Sequence, residues 1–88
     1  MGQRKYPPLK HREVCAILKA LGFAPVRQTG TAHAQWERPA DATRCRCLVT
    51  VDDYDEFEQK LLKIMIEQST FTRLEFYSAT KETAKKIR

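Results

Sequence analysis

No stretch of this chain stays apolar for anything near the roughly 20 residues of a membrane-spanning helix, so a helical membrane protein is not expected. Nor does an apolar segment of signal-peptide type follow Met1-Gly2-Gln3-Arg4-Lys5-Tyr6-Pro7-Pro8, and the expected location is the cytoplasm. Gly2 makes no myristoylation signal either, because Tyr6 stands where Ser or Thr is required. Cysteine is scarce and odd in number, three in 88 residues. That argues against a disulfide framework and for a reducing compartment. Cys45 and Cys47 form Cys-x-Cys rather than the Cys-x-x-Cys of a zinc knuckle, and no second ligand pair follows; buried thiols are expected and no metal. At 88 residues the chain is one domain of two or three layers of short elements. A deep cofactor cavity is not expected, and no cofactor is assigned.

What the chain does have is charge. With 42% hydrophobic and 31% charged residues it is globular, and its net charge is +5. The distribution says more than the sum. Arg4, Lys5, Lys10 and Arg12 crowd the start, in a basic lead-in over residues 1–10. Lys81, Lys85, Lys86 and Arg88 crowd the end, in a basic tail over residues 79–88. Asp52, Asp53, Asp55, Glu56 and Glu58 form one acidic block. A basic face kept apart from an acidic cluster suits a polyanion, although flanking lysines are often no more than solvated tails.

Periodicity supplies the elements. Val14, Ile17, Leu18 and Leu21 recur at i, i+3, i+4 and i+7, which predicts a helix over Arg12 to Leu21, containing Cys15 and stopped by Gly22 in a left-handed cap. Phe23 to Gln28 reads as a first strand, Thr31 to Arg38 as a second, and Arg44 to Val51 as a third with Cys45, Cys47, Val49 and Val51 on its inward face. Pro39-Ala40-Asp41-Ala42 is the connecting loop. The period then lengthens to 3.6, with Phe57, Leu61, Ile64, Met65 and Gln68 as the stripe of a longer helix. The acidic block is expected in its first turn, where carboxylates meet the positive end of the helix dipole. Thr72-Arg73-Leu74-Glu75 has capping-box spacing and starts a short helix through Phe76 and Tyr77. Residues 79–88 end the chain as a last helix or a frayed tail. Helix, three antiparallel strands and helix pack as a two-layer α+β domain with the helices on one face of the sheet.

The other face then stays open, and the stretch Val26-Arg27-Gln28-Thr29-Gly30-Thr31-Ala32-His33-Ala34-Gln35-Trp36 leads onto it. Strand side chains alternate, so Ala32, Ala34 and Trp36 form an apolar set while Thr31, His33, Gln35 and Glu37 face away. Gly30 gives the turn its backbone freedom. His33 is the candidate for chemistry, because imidazole titrates near neutral pH; the plainer reading is an exposed polar residue on the outer face of a half-buried strand. Arg27, Gln35, Arg44 and Arg46 join it on a basic sheet surface suited to phosphate.

Three segments resemble the HicA toxins of bacterial toxin–antitoxin systems. Arg12-Glu13-Val14 through Ile17-Leu18-Lys19-Ala20-Leu21-Gly22-Phe23 is similar to the family's opening helix ending in Leu-Gly-Phe. Val26 to His33 is similar to its Gly-Ser-x-His signature, with Thr31 keeping the hydroxyl of the usual Ser. Leu61-Leu62-Lys63-Ile64-Met65-Ile66-Glu67-Gln68-Ser69 with Phe71-Thr72-Arg73-Leu74-Glu75-Phe76 is similar to its closing helices. The resemblance implies a single unit over residues 1–88 with a double-stranded-RNA-binding-domain-like fold, α-β-β-β-α with an extra short C-terminal helix. It also implies an mRNA interferase, a metal-independent endoribonuclease neutralised by a HicB-like antitoxin, with His33 as general acid or base. Gly30, Thr31, Gln35, Arg27, Arg44 and Arg46 are the RNA-contacting candidates around it. The alternative is a non-catalytic module that binds RNA or docks a partner protein through the same open sheet.

Overall fold

A computed structural model describes residues 6–26 and 33–87, with His33 described by its backbone. In chain order the elements are β1 (Leu9–Lys10), α1 (His11–Ala20), β2 (Ala24–Val26), β3 (His33–Arg38), β4 (Cys47–Asp52), β5 (Glu56–Phe57), α2 (Gln59–Ser69), α3 (Arg73–Tyr77), α4 (Lys81–Ala84) and a closing 3-10 turn, Lys85–Ile87.

α1 forms because its apolar stripe, Val14, Ile17 and Leu18, is fully buried. Burial of this kind contributes about 1.5–3 kcal/mol per side chain. Its first turn is tied down by the Lys10 N–H, which donates to the Glu13 carboxylate at 2.8 Å. Its end is a Schellman motif: the Phe23 N–H donates to the Leu18 carbonyl at 2.8 Å and the Gly22 N–H to the Lys19 carbonyl at 3.1 Å. Gly22 sits at φ +97, and an added Cβ there would also press on the Arg38 side chain at 3.4 Å. The predicted glycine cap is therefore present.

β2, β3 and β4 form one antiparallel sheet in that order, with Pro25 opposite Trp36 and Trp36 opposite Val49. Trp36, Cys47, Val49 and Val51 are buried on the inner face. Pro25 is tolerated because β2 is an edge strand and its missing N–H would point away from β3. At the other edge the Thr50 N–H donates to the side-chain oxygen of Gln68 at 3.2 Å. α1 and α2 share the core with the inner face, giving the expected α+β architecture. The third strand begins at Cys47 rather than Arg44, so Cys45 is exposed in the preceding loop instead of buried. Alternation from Val51 and Val49 ran the inward set two positions too far, past the point where Asp41 turns the chain.

The second long helix also differs. It starts at Gln59, no acidic residue occupies its first turn, and Leu62, Met65, Ile66 and Ser69 are its buried face. Phe57 instead lies in β5, opposite Leu9 of β1, so counting the helical stripe from it put Ile64, which is 45% exposed, and Gln68 on the wrong side. The acidic block thus spans the end of β4, a turn, β5 and, with Glu58, the N-cap position of α2. Helix-dipole stabilisation does not explain Asp52, Asp53 and Asp55, which lie before β5. Instead the turn serves α1, whose His11 N–H donates to the Asp55 carbonyl at 3.0 Å.

α3 opens with the predicted capping box: the Glu75 N–H donates to Thr72 Oγ1 at 3.1 Å and the Thr72 N–H to Glu75 Oε1 at 2.9 Å. Residues 81–87 form α4 and the closing 3-10 turn, which lie beside α3 and α1. Thr83 Oγ1 donates to the Tyr77 carbonyl at 2.6 Å, Lys86 lies 3.8 Å from Glu13 and Arg12 lies 3.7 Å from Glu82. Buried Tyr77 donates its hydroxyl to the Pro7 carbonyl at 2.8 Å. Desolvation holds that phenol well above its usual range, slightly opposed by Arg73. Among the described residues no helix is long and apolar enough to cross a membrane.

Candidate functional site

The sheet face turned away from the helices carries the candidate site. Register puts His33 opposite Asp52, Gln35 opposite Thr50 and Glu37 opposite Leu48. Gln35 is exposed, Glu37, Thr50 and Asp52 are half-buried, and Leu48 is 36% exposed. The alternation read for residues 34 to 38 therefore holds: Trp36 is buried, Gln35 and Glu37 are outside. Arg46, just before β4, reaches over this face and its Nε donates to Glu37 Oε2. The described residues form no enclosed pocket.

Arg44 is not on this face. Its Nη1 donates to the Thr70 carbonyl at 3.1 Å and to Thr70 Oγ1 at 3.3 Å. Its guanidinium lies 3.8 Å from the Phe71 ring centroid, and its Nη2 is 3.8 Å from Glu75. The side chain clamps the α2–α3 junction because Arg44 sits in a loop, where strand alternation does not govern direction. Of the remaining predicted residues, Arg27, Gly30 and Thr31 lie outside the described residues.

That loop is organised by Asp41. Its Oδ1 accepts from the Thr43 N–H at 2.8 Å, the Thr43 hydroxyl at 2.9 Å and the Arg44 N–H at 2.9 Å, and its Oδ2 from Arg38 Nη2 at 2.7 Å. The Thr43 N–H above all, then the Thr43 hydroxyl and the Arg38 guanidinium, hold the carboxyl far below the usual carboxylate range. Arg38 also donates from Nε to the Leu21 carbonyl at 3.1 Å. Its Nη1 is buried with no hydrogen-bond partner, while its guanidinium lies 5.8 Å from the Phe71 centroid. Arg38 and Asp41 thereby set where β3 ends and β4 begins, and so where Arg46 emerges.

Two features escaped the sequence reading. The first is Asp52, grouped there with a helix start; continuing the alternation of Val49 and Val51 by one residue would have put it on the outer face. The second is His11, in the helical layer, stacked on Phe57 at 6.0 Å with Nδ1 3.6 Å from Cys15 Sγ. Burial raises the Cys15 thiol, with Lys19 opposing, so this pair reads as packing. Cys47, buried, donates to the Cys45 carbonyl at 3.2 Å and lies 3.4 Å from Thr70 Oγ1. Among the described residues no group of three His, Cys, Asp or Glu side chains converges as a metal-ligand set.

Two helices over one face of a three-stranded antiparallel sheet, with the other face open, define a small α+β domain of the double-stranded-RNA-binding-domain-like kind. The model of the HicA toxins of bacterial toxin–antitoxin systems matches residues 11–70, and the chain belongs to that family. An antitoxin is therefore its implied partner. No curated protein and no solved structure gives a match. The matched span runs from α1 through the end of α2, and includes His33 and the whole open face.

Proposed function

We propose that this chain is an mRNA interferase, a metal-independent endoribonuclease acting in the cytoplasm, with His33 as its general acid or base. The observation that carries the reading is the register of His33 within the family-matched span: a histidine near one end of the outer sheet face, beside exposed Gln35. RNA brings its own nucleophile. The 2′-oxygen attacks the adjacent phosphorus as the bond from phosphorus to the 5′-oxygen breaks; one proton leaves the 2′-hydroxyl and one arrives on the departing 5′-oxygen. A histidine near neutral pH serves either transfer without a metal. Gln35 shares the outer face two residues from His33, and Arg46, paired with Glu37 further along β3, would meet a neighbouring phosphate of the same RNA strand; Arg27 is added on charge, and Gly30 and Thr31 on the resemblance. A HicB-like antitoxin covering this surface would block RNA.

The test is inducible expression of the wild-type chain beside His33→Ala, following growth and mRNA integrity. Growth arrest with transcript cleavage, lost in the variant, is expected. Equal cleavage by a folded His33→Ala protein overturns the assignment, and no effect from either soluble protein favours the binding module.

A further inference from the structure

We propose that Asp52 is the positioning residue of this site, the carboxylate that holds the His33 imidazole and favours its charged form. The inference rests on the reading of His33 as the acid or base, and it supplies that histidine with a partner the sequence did not reveal.

The argument begins with the ladder between β3 and β4. Asp52 is the register partner of His33. The Thr50 N–H points away from β3, to Gln68, so the Gln35–Thr50 pair exchanges no ladder hydrogen bonds. Two residues further along, the His33–Asp52 pair has the same character by alternation. The Asp52 carbonyl agrees, accepting from the Tyr54 N–H at 2.9 Å. Non-hydrogen-bonded partners are the close ones, with Cα atoms about 4.5 Å apart and side chains adjacent on one face. A histidine and an aspartate in that relation are neighbours by backbone geometry, and opposite charges directly across a ladder stabilise one another.

Among the described residues of the sheet, Asp52 is the charged group directly across the ladder from His33. On β3 the next ionisable group on this face is Glu37, which is engaged by Arg46; Gln35 between them is neutral. On β4 the same face carries Thr50 and Leu48, and on β2 it carries Val26 and Ala24. Asp53 follows in the exposed turn, and Arg27 follows Val26 outside the described residues. An aspartate raises the pKa of an adjacent histidine because it favours the imidazolium.

The experiment uses the full chain and three readouts: an NMR pH titration of the histidine ring protons, the pH–rate profile on a fluorescently labelled mRNA fragment, and binding of a 2′-O-methylated copy that cannot be cleaved. Asp52→Asn keeps the shape and the backbone turn. In that variant the His33 midpoint is expected to fall by about half a unit to one unit. The His33-dependent limb of the rate profile moves to lower pH by the same amount, whichever proton His33 transfers. Cleavage falls while binding of the methylated copy stays the same or tightens, and Asp52→Glu restores part of the shift. An unmoved His33 midpoint in Asp52→Asn overturns the proposal even if cleavage falls. A wild-type chain that cleaves no RNA defeats the interferase reading instead, and the titration still decides the Asp52 partnership.

Discussion

Replacing Arg44 and Arg46 separately by alanine distinguishes two arginines that the sequence alone makes look alike. Arg44 donates to both oxygens of Thr70, a β-branched residue held at φ 63 as the cap of α2. Non-glycine residues in that left-handed region store about 1 kcal/mol or more, and Arg44 helps offset it. Its stack on Phe71 at 3.8 Å contributes about 0.5–1 kcal/mol, and the shared charge-assisted hydrogen bond about 1 kcal/mol. The ion pair to exposed Glu75 is counted as nothing. Arg44→Ala should thus cost about 1.5–2 kcal/mol, or roughly 6–16 °C in melting temperature for a domain of this size. Arg46, whose side chain is 59% exposed, should cost less than about 0.5 kcal/mol when removed. Its loss should instead weaken RNA binding and lower the salt slope by about 0.7. Urea denaturation followed by circular dichroism, and RNA binding across a salt series, measure both quantities. Unchanged stability in Arg44→Ala together with weakened RNA binding would refute this division of roles.

Other perturbations give equally definite expectations. Asp41 has a depressed carboxyl pKa, so its stabilisation is present above the unfolded value near ~3.9 and is lost as pH falls below it; an acid titration of stability should show a shallower drop in Asp41→Asn than in wild type. Tyr77→Phe removes the 2.8 Å bond to Pro7 and leaves that carbonyl short of a partner. A loss of about 1–2 kcal/mol, with faster proteolysis next to Pro7, is expected in urea and limited-digestion assays. Because burial raises the Tyr77 pKa, wild-type stability should decline as pH rises past ~10, and Tyr77→Phe should lack that decline.

The elements that were legible in advance share one property: their signal is local. α1 could be read from Val14, Ile17 and Leu18 and from Gly22, because amphipathic period and left-handed capping are properties of a few consecutive residues. The same holds for the capping box at Thr72 and Glu75 and for the outward turn of Gln35 and Glu37. Elements set by distant partners were not legible. β1 and β5 are two residues each and exist only because Leu9 and Phe57 meet; two residues carry no period. Once Phe57 was counted with the helix, the stripe of α2 and the role of the acidic block shifted with it. Arg44 and Cys45 were assigned by an alternation that lapses where Asp41 turns the chain.

For the site, the sequence by itself determined which residue types were at hand and that Gln35 and Glu37 would turn outward, since strand alternation needs no partner. It also carried the likeness to the HicA toxins that the family match over residues 11–70 bears out. Only the tertiary structure decided which strand lies opposite His33, and hence that the carboxylate across from it is Asp52. Pairing between β3 and β4, whose register partners run from Arg38 and Cys47 to His33 and Asp52, is fixed by the burial of Trp36 against Val49 and by the loop that Asp41 and Arg38 hold. A one-residue slip would turn every outer side chain inward, so the register is decided by the packed core and not by any local run of the chain.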